Sequence, residues 1–138
     1  MPNGIDIKLA AKGAFLGGAI AGVICVALYF VGGAIGADYR PRDPAALGGL
    51  EKLLFFQPMV NCLIAAAVSV AMLAILNKVA PARAWYIYLG IAVVVFLGEA
   101  YAPFWAFADM KTIAILELMH VPAALGVVGG IHRFAIKA

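Results

Sequence analysis

Four long apolar segments, separated by short polar connections, account for most of this chain. They cover roughly residues 14–35, 53–76, 84–100 and 112–131. A helix needs about 20 apolar residues to cross the hydrocarbon core of a bilayer, and most of these segments approach or exceed that length. The third is the shortest, but aromatic residues flank it on both sides, as is typical of a helix that ends at two membrane interfaces. The pattern predicts four transmembrane helices in one domain that occupies residues 1–138.

Composition places the chain among membrane proteins. Hydrophobic residues make up 66% of its 138 positions and charged residues only 12%, whereas soluble domains average about 25% charged residues. The formal net charge of +3 comes from short connections on a hydrophobic body, so it implies no nucleic-acid surface. We therefore expect the lipid bilayer to be the main partner of this chain.

The charged residues of the connections predict the orientation, because lysine and arginine near membrane spans are retained on the cytoplasmic side. The N-terminal tail, the second connection and the C-terminus carry an excess of basic residues, namely Lys8, Lys12, Lys78, Arg83, Arg133 and Lys137. In the other two connections, acidic residues balance the basic ones. The prediction is an all-α integral membrane four-helix bundle that runs up-down-up-down, with both termini in the cytoplasm (N-in/C-in).

Small residues recur at intervals of four in the first and last segments. The pairs are Gly13 and Gly17, Gly18 and Gly22, and Gly126 and Gly130. Such spacing allows the backbones of two membrane helices to approach closely. We favour packing within the bundle as the explanation. The alternative is a homo-oligomer or a membrane-complex partner that binds through the glycine faces of helices one and four.

The fourth segment carries the strongest chemical signal. Glu117 and His120 lie inside a span, where ionisable side chains are costly and usually functional. Because they are three residues apart, they share one helix face and can address the same ligand, ion or proton. Pro122 follows, and it should kink the helix and leave the carbonyl group of Leu118 without its usual amide donor.

Polar side chains of two other segments fall at a similar depth. Asn61 and Glu99 lie, like Glu117 and His120, roughly 3 to 9 Å to the outer side of the midplane, and Gln57 lies slightly further out. We expect these five residues to form an ionisable pocket in the outer half of the bundle that binds a small ligand or a proton. Two simpler explanations stay open: Glu99 can reach water at the interface, and the two amides can hydrogen-bond between helices as packing residues.

A metal site is the more specific form of this prediction. Di-iron carboxylate bundles use two Glu-x-x-His motifs and two further glutamates, and this chain has about half of that set. Glu99, Glu117 and His120 together would suit one zinc, manganese or iron(II) ion. Haem is disfavoured, because His132 lies 12 residues from His120, about 18 Å along a helix. Two such histidines cannot ligate one iron within a chain.

Three classes of function follow from these features. We favour a small polytopic membrane protein with a ligand- or proton-binding pocket, acting as an oligomer or as an accessory subunit. A membrane metalloenzyme or oxidoreductase would require Glu99, Glu117 and His120 to converge. A structural or assembly subunit of a membrane complex would use the glycine faces instead. Enzyme is the less favoured class, because the sequence shows no nucleophile paired with a base and no phosphate-binding loop.

Several features together resemble a known family. They are a small-residue first segment, a basic second connection, a third segment that ends before Pro103, and Leu118-Met119-His120 followed by Ala124 and a glycine. This pattern resembles small bacterial four-helix membrane proteins known only as a domain of unknown function, and its one specific motif is Leu-Met-His. The resemblance implies four spanning helices in the bacterial cytoplasmic (inner) membrane, and it supplies no activity.

Overall fold

The computed structural model describes residues 4–136 and arranges them as four long helices. α1 spans Ile7–Ala34, α2 Gln57–Val79, α3 Ala84–Ala106 and α4 Met110–Ile131, and a π-helical turn at His132–Ile136 prolongs α4. Within these residues there is no β-strand beyond one isolated bridge. All four helices are long and apolar enough to cross a membrane. The predicted all-α fold of membrane-span-like helices is therefore confirmed, and its orientation in the bilayer stays a prediction.

Local capping shifts the helix ends away from the predicted positions. α1 begins at Ile7 rather than at 14, because the carboxylate of Asp6 accepts hydrogen bonds from the amides of Lys8 (2.9 Å) and Leu9 (3.0 Å). α3 continues to Ala106 rather than ending near 100, and it passes through Pro103. A proline inside a membrane helix is tolerated where neighbouring groups satisfy the freed carbonyl.

α1 is the helix against which α4 and α2 pack most extensively. Gly13 lies against Gly130 and Gly17 against Gly126, so the two backbones are in direct contact. A Cβ atom on Gly126 would lie 2.5 Å from the carbonyl oxygen of Gly17 and 2.7 Å from the Cβ of Ala21. The order of these contacts makes α1 and α4 antiparallel and brings both chain ends to one end of the bundle, here called the terminal end.

The second glycine pair of α1 serves α2 in the same way. A Cβ on Gly18 would meet the carbonyl oxygen of Cys62 at 3.1 Å, and one on Gly22 would meet the Cγ of Met59 at 2.9 Å. α2 therefore also runs antiparallel to α1. All the glycines of the predicted faces contact neighbours within the chain, which supports the explanation by internal packing.

At the other end of the bundle, here called the loop end, the first connection is held by hydrogen bonds to the start of α4. The amide of Tyr39 donates to the Oγ1 of Thr112 (3.0 Å), and that hydroxyl donates to the carboxylate of Asp109 (2.7 Å). Tyr39 adopts a φ of +58°, which is unusual for a residue other than glycine and is kept only where surrounding contacts enforce it.

The buried phenol of Tyr39 joins this connection to α1. Its hydroxyl donates to the carbonyl oxygen of Tyr29 at 2.8 Å, and the two rings stack with centroids 4.2 Å apart. Gly32 leaves the space for that hydroxyl, since a Cβ there would overlap it. Burial, and to a lesser extent the neighbouring Tyr29, raises the pKa of Tyr39 to about 12. The hydroxyl therefore stays protonated and keeps its donor role near neutral pH.

The glycine contact between α1 and α4 can be tested by adding one methyl group. Gly17→Ala places a Cβ against the backbone of Gly126, and overpacking of this kind costs about 1–3 kcal/mol. We expect a lower Tm of the detergent-solubilised protein. Gly129→Ala is the matched control, because no atom lies within 4 Å of its Cβ position. Equal Tm values for the two variants would contradict the assignment of Gly17 to a tight interface.

The hydrogen bonds to Asp109 predict a pH dependence of stability. Donation from the hydroxyl and then the amide of Thr112 lowers the pKa of Asp109 from 3.8 to about 2. The stabilisation is therefore present above pH 3.8 and is lost as the pH falls through about 2. Asp109→Ala should lower the Tm at neutral pH. The Tm difference between this variant and the wild type should shrink as the pH falls from 3.8 to about 2.

The control for this experiment is Asp43→Ala, which removes a capping carboxylate in the first connection. Asp43 caps only the short 3-10 helix Pro44–Leu47, through a 2.9 Å bond from the amide of Ala45. We expect a smaller effect on the Tm from this variant. A Tm difference between Asp109→Ala and the wild type that is constant with pH would contradict the role of the Asp109 carboxylate.

Candidate functional site

Glu117 is the predicted site residue with the most unusual surroundings. It lies on α4, its side chain is half-buried, and its Oε1 atom is inaccessible yet has no hydrogen-bond partner among the described residues. A buried polar atom without a partner costs about 1–3 kcal/mol, and such atoms in native proteins call for an explanation. Glu117 is therefore available to a proton or to a donor that comes from outside the described chain.

His120 lies one turn further along α4 and is also half-buried. Its Nδ1 atom is 2.7 Å from the carbonyl oxygen of Leu116. A carbonyl oxygen can only accept, so Nδ1 carries a proton in this contact. The imidazole is thus oriented by its own helix, and a neutral ring would present Nε2 as an acceptor.

The three other predicted residues have different surroundings. Gln57 is the first residue of α2, and its Oε1 accepts the amide of Leu54 at 2.6 Å, so it closes the turn that precedes the helix. Asn61 and Glu99 are exposed on the protein surface. Among residues 4–136, no hydrogen bond joins any two of the five predicted residues. The convergence of all five stays a prediction.

An apolar groove runs between α3 and α4, with a volume of about 290 Å³. Its larger lining side chains are Leu89, Val93 and Phe96 of α3, and Val121, Leu125 and Val128 of α4. The groove exists because α3 is the least embedded helix, with only Ala84, Tyr88 and Pro103 fully buried.

Glu99 and Glu117 do not line this groove, but each lies about one helical turn beyond its lining residues in the direction of the loop end. Glu99 follows Phe96 by three residues on α3, and Glu117 precedes Val121 by four on α4. On a helix, residues three or four apart lie on the same side. Each carboxyl group is therefore about one turn beyond the apolar lining, and the two helices are antiparallel neighbours.

Two prolines add main-chain acceptors at this level. Pro103 has no amide hydrogen for the carbonyl oxygen of Glu99, and Pro122 has none for that of Leu118. The sequence predicted the loss of the hydrogen bond to the carbonyl group of Leu118. The same loss at Glu99 of α3 was not predicted, because the third span was expected to end before Pro103. The candidate site is rich in hydrogen-bond acceptors.

The structure gives the metal hypothesis no further support. Within the part of the chain that the structure describes, no three side chains of histidine, cysteine, aspartate or glutamate are grouped so as to hold a metal ion. Zinc, manganese or iron at Glu99, Glu117 and His120 stays a prediction. His132 stacks on Trp85 with ring centroids 5.7 Å apart and lines a cavity of about 210 Å³ at the terminal end.

Sequence reasoning missed the residues that fix the loop end, above all Tyr39, Asp109 and Thr112. A signal for one of them was present. Aspartate just before an apolar segment is typical of a helix N-cap, and Asp109 accepts the amides of Lys111 and Thr112. Nothing comparable marked Tyr39, because its partners come from distant parts of the chain.

These features define a four-helix protein of the membrane-spanning class. A family model for a family of unknown function, DUF6069, matches residues 8–137, and the chain belongs to this family. The resemblance to a four-helix membrane family of unknown function is therefore confirmed. Comparison with curated proteins and with solved structures gave no match.

The unsatisfied carboxyl oxygen of Glu117 predicts the effect of two substitutions on stability. Glu117→Met keeps a similar side-chain volume and removes the unpaired polar atom, so we expect the free energy of unfolding to rise by about 1 kcal/mol. Glu117→Gln keeps a polar group in the same place and should give little or no gain. Tm measurements in detergent compare the two, and a Glu117→Met variant less stable than the wild type would rule out an unsatisfied Glu117.

Proposed function

We propose that this protein is a small polytopic membrane protein that binds a proton, or a small ligand that donates hydrogen bonds, at Glu117. The observation that carries the proposal is the inaccessible Oε1 atom of Glu117, which has no partner in residues 4–136. Unpaired ionisable groups within membrane spans are costly and are retained where they act on an ion, a proton or a ligand.

The groups near Glu117 are hydrogen-bond acceptors, and this supports a ligand that donates hydrogen bonds. The carboxyl groups of Glu99 and Glu117, the Nε2 of a neutral His120 and the carbonyl groups released by the prolines are all acceptors. Acceptors are complementary to a proton or to a cationic or amide-type donor, whereas they would repel an anion. The proposed ligand is therefore a proton or a small molecule with an N–H or O–H group.

Access to this site would come from the side of α3. Glu99 is exposed, and the lining residues of the apolar groove begin about one helical turn from each glutamate, on the side of the terminal end. A ligand with a donor group and an apolar body would place the donor at Glu117 and the body along the groove. A bare proton would need only Glu99 or a water molecule as the relay.

Dicyclohexylcarbodiimide tests whether Glu117 holds a proton. This apolar reagent reacts with protonated carboxyl groups in membrane surroundings and leaves a stable acylurea, which peptide mass spectrometry locates. We expect modification at Glu117 in native membranes or mild detergent, faster at lower pH because only the protonated acid reacts. Glu117→Gln should abolish it.

Glu51 serves as the control, because it lies in the exposed first connection. It should react with a water-soluble carbodiimide instead. The proposal is overturned if Glu117 is unmodified under conditions that label other carboxyl groups. It is also overturned if the water-soluble reagent labels Glu117 as fast as it labels Glu51.

A further inference from the structure

The two cysteines of the chain lie together although they come from different helices. Cys25 of α1 and Cys62 of α2 are free thiols, with only 1% and 3% of their surfaces exposed. Both side chains belong to one buried cluster, to which α1, α2 and α4 contribute. Their chain positions gave no sign of this pairing, because no Cys-x-x-Cys motif joins them.

Two methionines complete a group of sulfur-containing side chains. Met119 of α4 lies in the same buried cluster, and the Sγ atom of Cys25 is 3.4 Å from its carbonyl oxygen. Met59 precedes Cys62 by three residues on α2, and its side chain packs on Gly22, which precedes Cys25 by three residues on α1. Three helices therefore bring two thiols and the side chain of Met119 into one buried cluster, and Met59 lies one helical turn from Cys62.

We propose that Cys25, Cys62, Met59 and Met119 form a site for a soft monovalent metal ion of the copper(I) class. Thiolate and thioether sulfur are the ligands that select copper(I) over hard divalent cations. Within the described residues no group of three histidine, cysteine or acidic side chains competes as a harder site. The apolar cluster around the thiols also keeps water, a competing ligand, away from the ion.

The binding step is a ligand exchange without a change of oxidation state. Each thiol that binds loses its proton to the solvent and forms a sulfur–metal bond, so two thiols and one monovalent ion give a bis-thiolate complex and two released protons. The thioethers bind as neutral ligands and lose nothing. Because the site would join α1, α2 and α4, bound metal should also stabilise the bundle.

Silver(I) is the appropriate probe, because it shares the closed d-shell of copper(I) and does not oxidise thiols. We expect the full-length reduced protein in detergent to bind one silver ion, with a rise in Tm and protection of both thiols from alkylation. Cys25→Ser and Cys62→Ser should each abolish the tight site. Met119→Leu and Met59→Leu should each weaken binding by about tenfold or more, as expected when a group that supports a metal site is removed.

The matched control is Met110→Leu, which removes an exposed thioether at the start of α4 and should leave the silver affinity unchanged. The proposal is overturned if either serine variant binds silver as the wild type does, or if both methionine variants bind with unchanged affinity. It is also overturned if copper(I) added without oxygen is not retained against a chelator. Spontaneous formation of a disulfide between the cysteines in air, with no metal retained, would identify the pair as a cross-link instead.

This site shares no residue with the one proposed at Glu117, so each proposal is tested independently. Serine variants of the cysteines should leave carbodiimide labelling of Glu117 unchanged. Loss of both properties in one variant would indicate misfolding, which the Tm and the helical circular dichroism of that variant report directly.

Discussion

The close contact between α1 and α4 is the constraint on which the remainder of the bundle depends. Gly13 and Gly17 on one helix, and Gly126 and Gly130 on the other, leave no room for side chains between the backbones. In a bilayer the hydrophobic effect does not favour helix association, so dispersion contacts at short range must supply the attraction. Small residues provide them by exposing main-chain atoms over a long, flat surface.

This contact also determines where the chemistry can lie. With one face of α4 occupied by α1, Val121 lines the groove beside α3, where the packing is sparse. Glu117 precedes Val121 by four residues and so lies on the same side of α4. Met119, on the side toward α1, is instead enclosed with Cys25. The ionisable group and the thiols therefore lie at a similar level of the bundle but on different sides of α4.

The sequence predicted the fold well because a bilayer restricts the structures that an apolar segment can adopt. Apolar length determines the spans, and glycine spacing marked α1 and α4 as helices that allow close approach. That spacing did not show that these two helices pack on each other, or that α2 packs on the second glycine pair of α1. Helix ends were predicted less well. Asp6 extends α1 through its cap, and α3 continues through Pro103, both of which are decided by hydrogen bonds too local for a hydropathy profile.

For the candidate site, the sequence predicted only the depth of each residue along the membrane normal. Depth follows from the rise per residue, but the direction of a side chain around its helix follows from packing, and packing leaves Asn61 and Glu99 exposed and Gln57 engaged with Leu54. Only Glu117 has the unpaired atom that the hypothesis needed. The meeting of Cys25 and Cys62 depends on how two helices cross, which chain positions do not encode.

The hydrogen bonds of the loop end constrain the donor residue more strongly than the acceptor residue during sequence change. Tyr29, Tyr39 and Arg42 all donate to main-chain carbonyl oxygens, at Leu53, Tyr29 and Phe107 respectively. Every residue type has a carbonyl group, so the accepting position at Leu53 or Phe107 can vary as long as its backbone stays in place. The donor cannot vary in this way, since no other side chain reaches the same oxygen from the same position. Relatives of this chain should therefore vary more at Leu53 and Phe107 than at the donors Tyr29, Tyr39 and Arg42.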